Sequence, residues 1–344
     1  MTIHEAAYHG SLIADAFAMP VHWYYNRDLM DRDYPVLDRY LSPLRHHPDS
    51  ILWRSEYFPP NEKGDILHDQ ARYWGQRDIH YHQNLKAGEN TVNFKLARAL
   101  YDQVTTNGSY DPTNWVEYYV ELMLTPGWHC DTYLEEYHRA FFTRYAHGKN
   151  ILKCGISDEH IGGLATVPAL LASLPEGDHR QTVKNHITLT HRHSNVLRAA
   201  DCLTRILQSV ADGTPLRETL MNQAGDWFST KKAMKWSRQD DRLVIGQRLS
   251  PACYIDQSFP ASLYLAWKYH EDLASAIIAN AKVGGDSCHR GAVVGSLVAA
   301  EVMRSTGEFN PIPFPADSAI PSPKSFSAVD DSHEICSHVS SSDH

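Results

Sequence analysis

Apolar and small residues recur at helical spacing through most of the chain. From Thr2 to Ala18 they form one continuous stripe that stops near Pro20, because Met19 precedes a proline and is biased away from helical backbone. Residues 91–105 place Val92, Phe94, Leu96, Ala97, Leu100 and Tyr101 on one face. Asn114 to Leu124 and Asp131 to Tyr145 repeat the pattern, opening after the candidate caps Thr113 and Asp131. Further helices are predicted over 161–174, 194–211, 259–282 with a break near Tyr269–His270, and 290–304. In the last of these, Gly291, Gly295 and Ala299 form a stripe of small residues that lets a neighbouring helix approach closely. Strand-like alternation is confined to a short piece at Arg242–Ile245. The pattern predicts an all-α domain with long loops, the longest over 20–90, which is dense in Pro, Asp, Tyr and His. From Gly307 the composition shifts to Pro, Ser and Asp without periodic apolar positions. The reading is therefore one domain over residues 1–306 and a disordered tail over 307–344.

Composition narrows the function class. The 344 residues carry 41 Asp+Glu against 32 Lys+Arg, a formal charge of −9. An acidic chain is a poor fit to nucleic acid, whose phosphates are bound by Lys/Arg-rich faces. No apolar run reaches about 18 residues, and the N-terminus lacks a basic segment ahead of its apolar stretch, so neither a membrane span nor a secretory signal is expected. Six dispersed cysteines with no C-x-x-C pair read as reduced thiols in a cytoplasmic protein. The unusual count is 21 histidines.

Four strings hold side chains that could carry chemistry. In GGDSCHRGA (284–292), two glycines lead into Asp286 at a helix start, where unpaired N–H groups collect; Asp286, Ser287, Cys288, His289 and Arg290 are candidate site residues there. The simpler reading is that Asp286 is only a helix cap. In HYHQNLKAGENTVN (80–93), His82, Glu89 and Asn90 are candidates, against the simpler reading of a polar loop capping the next helix. In GSLIADAFAMPVHWYY (10–25), Asp15 sits among apolar residues and His22 and Trp23 follow the proline; an aromatic core plug is the alternative. In THRHSN (190–195), His191 and His193 precede a helix, and an ordinary hydrogen-bonding role is favoured.

In this order, the strings resemble the ADP-ribosylglycohydrolase family, which includes the J1 crystallins. Gly10 to Pro20 resembles its opening helix motif G-x-x-x-G-D-A-x-G-x-P, with Ala14 for a glycine. Gly88-Glu89-Asn90-Thr91 stands where the family has T-D-D-T. Thr190-His191 and the proline-containing Tyr254–Trp267 follow, and Gly284 to Ala292 stands for G-G-D-T-D-T-x-G-A. The resemblance implies an all-α fold whose cleft holds two Mg²⁺ on clustered carboxylates and cleaves a glycosidic bond at the anomeric carbon of ADP-ribose. The departures fall on the metal ligands, since Asn90, Cys288 and His22 replace acidic positions and His289 replaces a threonine. Glu89 and Asp286 are the carboxylates left to bind a divalent metal, whether Mg²⁺, Mn²⁺ or, given the softer neighbours, Zn²⁺.

The resulting expectation is a divergent hydrolase acting on a glycosidic or related C–N bond of an ADP-ribosyl-like or other small molecule, without the usual two-magnesium centre. Glu89, Asp286, His22, His82 and His289 are its catalytic candidates, and Asn90, Asp15, Trp23, Ser287, Cys288 and Arg290 its substrate contacts. The alternatives are an enzyme recruited to specialised metabolism through His/Glu/Asp acid–base chemistry, and a silent crystallin-like protein.

Overall fold

The computed structural model describes residues 1–310; most of the expected tail lies outside them. Chain order gives α1 (Ile3–Ala18), α2 (Arg27–Asp33), α3 (Val92–Asn107), α4 (Pro112–Leu124), α5 (Glu136–Ala146), α6 (Val167–Ser173) and α7 (Arg180–Ile187). Then follow α8 (Ser194–Ala211), α9 (Leu216–Gln223), α10 (Thr230–Trp236), α11 (Asp241–Gln247), α12 (Ile255–Lys268), α13 (Leu273–Lys282) and α14 (Ser287–Thr306). No β-strand occurs among the described residues, so the domain is all-α as expected. The segment expected to form a strand at Arg242–Ile245 is the helix α11, capped by Asp240 and kinked at Ile245–Gly246. The helix expected from Asp131 begins only at Glu136, because Asp131 is buried and engaged elsewhere. At α4 the cap is Asp111 rather than Thr113, with Pro112 in the first turn. No described helix is long and apolar enough to cross a membrane. Cys154, Cys202, Cys253 and Cys288 are free thiols.

The pair α1 and α14 forms the spine. Both are almost wholly buried, and they cross where Gly10 meets Gly295. A Cβ built on Gly10 would stand 2.3 Å from the Gly295 carbonyl oxygen, and one on Gly295 2.2 Å from that of Gly10, so only glycine permits this separation. The small-residue stripe of α14 therefore receives α1. Helices α12 and α13 pack on other faces of α14, and α6 packs against α1 and α3.

The spine also positions the loops. After α1 the chain turns through Met19–Val21 into His22 and Trp23. An antiparallel bridge joins this segment to the loop before α14: Trp23 N–H donates to Gly285 O at 2.8 Å, and Gly285 N–H to Tyr24 O at 2.6 Å. Gly284 and Gly285 adopt φ of 73° and 69°, which L side chains rarely take, so the Gly-Gly pair is required for the chain to turn into Asp286. Arg290 fastens the turn from beneath, its guanidinium donating to Asn280 Oδ1 and to the carbonyls of Asn280 and Gly284.

Candidate active site

Four segments distant in sequence converge at the shared end of α1 and α14. Asp286 is the N-cap of α14; its Oδ1 accepts from the backbone N–H of His289 at 3.2 Å and from His289 Nδ1 at 2.9 Å. The helix N-terminus favours this negative charge. From the α1 side, His22 Nε2 lies 3.2 Å from the same oxygen. His22 Nδ1 meets His82 Nε2 at 2.8 Å, and His82 Nδ1 meets Asp131 Oδ1 at 2.7 Å. On the far side, His289 Nε2 lies 3.2 Å from Glu135 Oε1. The result is a continuous chain, Asp131–His82–His22–Asp286–His289–Glu135.

The contacts to Asp131 and Asp286 each call for a ring N–H, and the ring-to-ring contact at 2.8 Å joins the two remaining nitrogens. Burial pushes the His22 ring down to about 3 against the opposing pull of Asp286. For His289, burial also acts downward, but Asp286 and Glu135 override it and raise the ring to about 10. His289 is thus held toward its imidazolium form, with Nδ1 facing Asp286 and Nε2 lying 3.2 Å from Glu135 Oε1 and 2.9 Å from the Asn93 amide nitrogen. Burial would raise Asp286 and Glu135, yet the neighbouring histidines hold both well below the usual carboxylate range.

A second layer orients the first. Asn93 on α3 donates to Glu135 Oε1 at 2.8 Å. Its carbonyl oxygen accepts from the Tyr137 hydroxyl at 2.5 Å and from His138 Nε2 at 2.9 Å, which fixes the amide orientation. His80 donates to Pro20 O and His47 to His22 O, holding the histidine-bearing loops in place.

Above the chain opens a cleft of about 450 Å³, walled by Trp23, Tyr25, Tyr81, Tyr133 and Tyr254 and reached by Glu135 and His160. The Trp23 ring lies on the His22 ring, centroids 3.9 Å apart, and meets Tyr81 and Tyr133 edge-on. Its backbone takes φ of 64°, a left-handed conformation costly for a bulky residue (about 1–3 kcal/mol). His160 Nε2 faces Asp286 Oδ2 at 3.4 Å, its other nitrogen accepting from Gly162 N–H. Three buried carboxylate oxygens, Asp286 Oδ2, Glu135 Oε2 and Asp131 Oδ2, have no hydrogen-bond donor.

Of the sequence candidates, His22, His82, Asp286 and His289 meet in this chain, and Trp23 covers it. The others do not join them. Glu89 sits in a turn, its carboxylate accepting from Lys86 N–H three residues upstream. Asp15 accepts from the Asn90 amide and from the Thr91 N–H and hydroxyl, so Asp15 and Asn90 secure the start of α3. Ser287 donates to Ala18 O, and Cys288 contacts Asp15 O, its thiol pushed well up by burial. Arg290 is consumed by backbone carbonyls and is not placed to meet a substrate. Conversely, Glu135, Asp131, Asn93 and His160 were not singled out in the sequence. Asp131 had the look of a cap, and no local spacing connects it or Glu135 to a histidine.

The donor set does not fit a two-magnesium centre. Mg²⁺ needs oxygen ligands, whereas Asp286 and Glu135 already bracket His289, Asp131 holds His82, and Glu89 and Asp15 serve turns. Among the described residues, two trios bring ligand atoms within 4.8 Å of one another: His22, Asp286 and His289, and His160, Cys253 and Asp286. In the first, the ring nitrogens are committed to the carboxylate itself. The second has the nitrogen and sulfur donors that Zn²⁺ accepts.

Comparison with known proteins agrees with this architecture. The family model described as ADP-ribosylglycohydrolase matches residues 5–302. No curated protein matches the chain. Among solved structures, one titled "ADP-ribosylglycohydrolase-related protein complex" is similar over 87% of both chains, with a TM-score of 0.52 and 17% identity, a likeness of fold. The family match spans nearly all the described helices, from α1 into α14, and the chain belongs to the ADP-ribosylglycohydrolase family.

Proposed function

We propose that this protein is a hydrolase that cleaves a glycosidic or related C–N bond of a small molecule in the Trp23-walled cleft, using carboxylate and imidazole groups in place of two Mg²⁺. The observation that carries the reading is Glu135: a buried carboxylate at the cleft whose Oε1 is held by His289 and Asn93 while Oε2 lacks a donor. Such a group can take a proton from water at the anomeric carbon. The new C–O bond forms as the C–N bond breaks, the bonding pair leaves with nitrogen, and the water proton passes to Glu135. Glycosidic cleavage builds positive charge at the anomeric carbon, which an acidic cleft stabilises.

The remaining members of the chain are positioning residues. Asp286 and the imidazolium of His289 fix Glu135, and the His22–His82–Asp131 branch balances Asp286. Family membership places ADP-ribosyl compounds in the substrate panel beside a ribosyl compound without a diphosphate.

The test is hydrolysis of ADP-ribosyl-arginine, ADP-ribosyl-serine and an N-ribosylpyridinium salt, each with EDTA, Mg²⁺ or Zn²⁺. Turnover that resists EDTA and is lost in Glu135→Gln supports the proposal. Turnover that requires Mg²⁺ overturns the carboxylate–imidazole mechanism, and a requirement for Zn²⁺ points to His160 and Cys253. A silent, crystallin-like role is favoured by one observation: His22 and Asp286 are 1% and 0% exposed beneath the Trp23 ring. Absence of turnover in every arm selects it.

A further inference from the structure

The walls of the cleft carry a charge pattern that bears on what enters it. Four carboxylates line it, Asp49, Glu135, Glu136 and Asp158, against one cationic side chain, Arg54. His160 does not add to the positive side, because burial lowers its ring below the ordinary value. The His289 imidazolium offsets Glu135, but Asp49, Glu136 and Asp158 remain. Asp49 turns one oxygen to the N–H groups of Tyr25 and Asn26, and Asp158 turns one to His160 N–H. Between these acids stand the faces and edges of five aromatic rings, with Trp23, Tyr81 and Tyr133 set nearly perpendicular to one another. At the base, the Oε2 of Glu135, a residue 5% exposed, still lacks a donor.

We infer that the cleft recognises an organic cation carrying a flat ring, and that it excludes nucleoside diphosphates. Aromatic faces attract an ammonium or ring cation through their quadrupoles, and the rim carboxylates add attraction of the same sign. A diphosphate would bring at least two negative charges toward three or more of the same sign. The single Arg54 of the lining, exposed at the rim, does not compensate; Arg290 is sealed behind the Gly-Gly turn, and Arg139 stands outside the lining, held over the Trp74 and Tyr133 rings and to the Leu134 carbonyl. The inference rests on the proposed function for the location of the substrate and narrows its chemical class. A leaving group that is cationic in the substrate also departs as a neutral molecule without a proton donor, in keeping with a cleft whose acid–base groups are mainly carboxylates.

The experiment is calorimetric binding of benzyltrimethylammonium and of ADP-ribose to the full chain, which needs no turnover and so fails or succeeds separately from the hydrolysis assay. The ammonium ion is expected to bind saturably and to weaken as salt rises. Glu136→Gln and Asp158→Asn should each reduce its affinity by about twofold to fivefold, the range for a partly screened charge. Glu136 is exposed, so its variant tests the charge without risk to folding. ADP-ribose is expected to show no saturation. Tighter binding of ADP-ribose than of the ammonium ion overturns the inference, as does ammonium binding that is absent or indifferent to both substitutions.

Discussion

His289 is an imidazolium with a carboxylate at each nitrogen, and its removal exposes what the arrangement holds in check. In His289→Gln, Asp286 and Glu135 lose a shared cation while still buried. Breaking one side of a buried pair costs about 3–5 kcal/mol, so chemical denaturation should show a loss of that order; a loss below about 1 kcal/mol would mean that the carboxylates find other partners. The pH profile follows from the same group. His289, raised to about 10 from an ordinary 6.5, contributes stability that is full below about 6.5 and lost as pH rises through 10. Asp286 and Glu135, both lowered, contribute above their ordinary range near 4 and lose it as pH falls. His22, lowered to about 3, resists protonation in the fold, so stability declines as pH drops below 6.5. Thermal melts should therefore be highest between about pH 6.5 and 9, and the alkaline decline should be absent in His289→Gln. Four of these groups were visible in the sequence because histidines stood beside a Gly-Gly-Asp turn and after a proline. Glu135 and Asp131 were not, because a carboxylate at a helix start looks the same whether it caps its own helix or reaches a ring 49 residues away, as Asp131 does to His82.

At the scale of elements, the sequence was legible wherever one face is apolar over several turns. The bounds of α8 follow the predicted range, and α12 and α13 divide at Tyr269 as the polar break requires. Short helices such as α2, α7 and α10 escaped because seven or eight residues give too few repeats of the period. Glu89 misled for a different reason: a turn offers a nearby N–H, and Lys86 satisfies its carboxylate locally. Two predictions belong here. Gly295→Ala places a methyl carbon 2.2 Å from Gly10 O and should lower stability by at least about 1–3 kcal/mol, the cost of overpacking, in equilibrium unfolding. Asp15→Ala removes the acceptor for Asn90 and for both Thr91 donors, leaving buried donors without a partner at about 1–3 kcal/mol. Its effect should appear as faster amide hydrogen exchange in the first turn of α3; unchanged exchange there would refute the assignment.

For the molecule as a whole, the all-α fold could be read from periodicity and motif order, while the site could be read only in part, since convergence of four segments is a property of packing. Its pieces hang on two long helices that touch most closely at one point. Gly10 lies about 12 Å along α1 from its end at Ala18, and Gly295 about 13.5 Å along α14 from Asp286, at 1.5 Å per residue. The crossing is thus a fulcrum, and His22 and Asp286 ride at the tips of two arms. A wedge that opens the fulcrum by an ångström is transmitted along rigid rods to the gap between those tips, with no change in any residue of the cleft. Rates that depend on reacting groups held in register fall by about 10²-fold for such a displacement. The methyl group of Gly295→Ala should therefore act on turnover at a distance, and Gly10, its mirror on the other arm, should do the same.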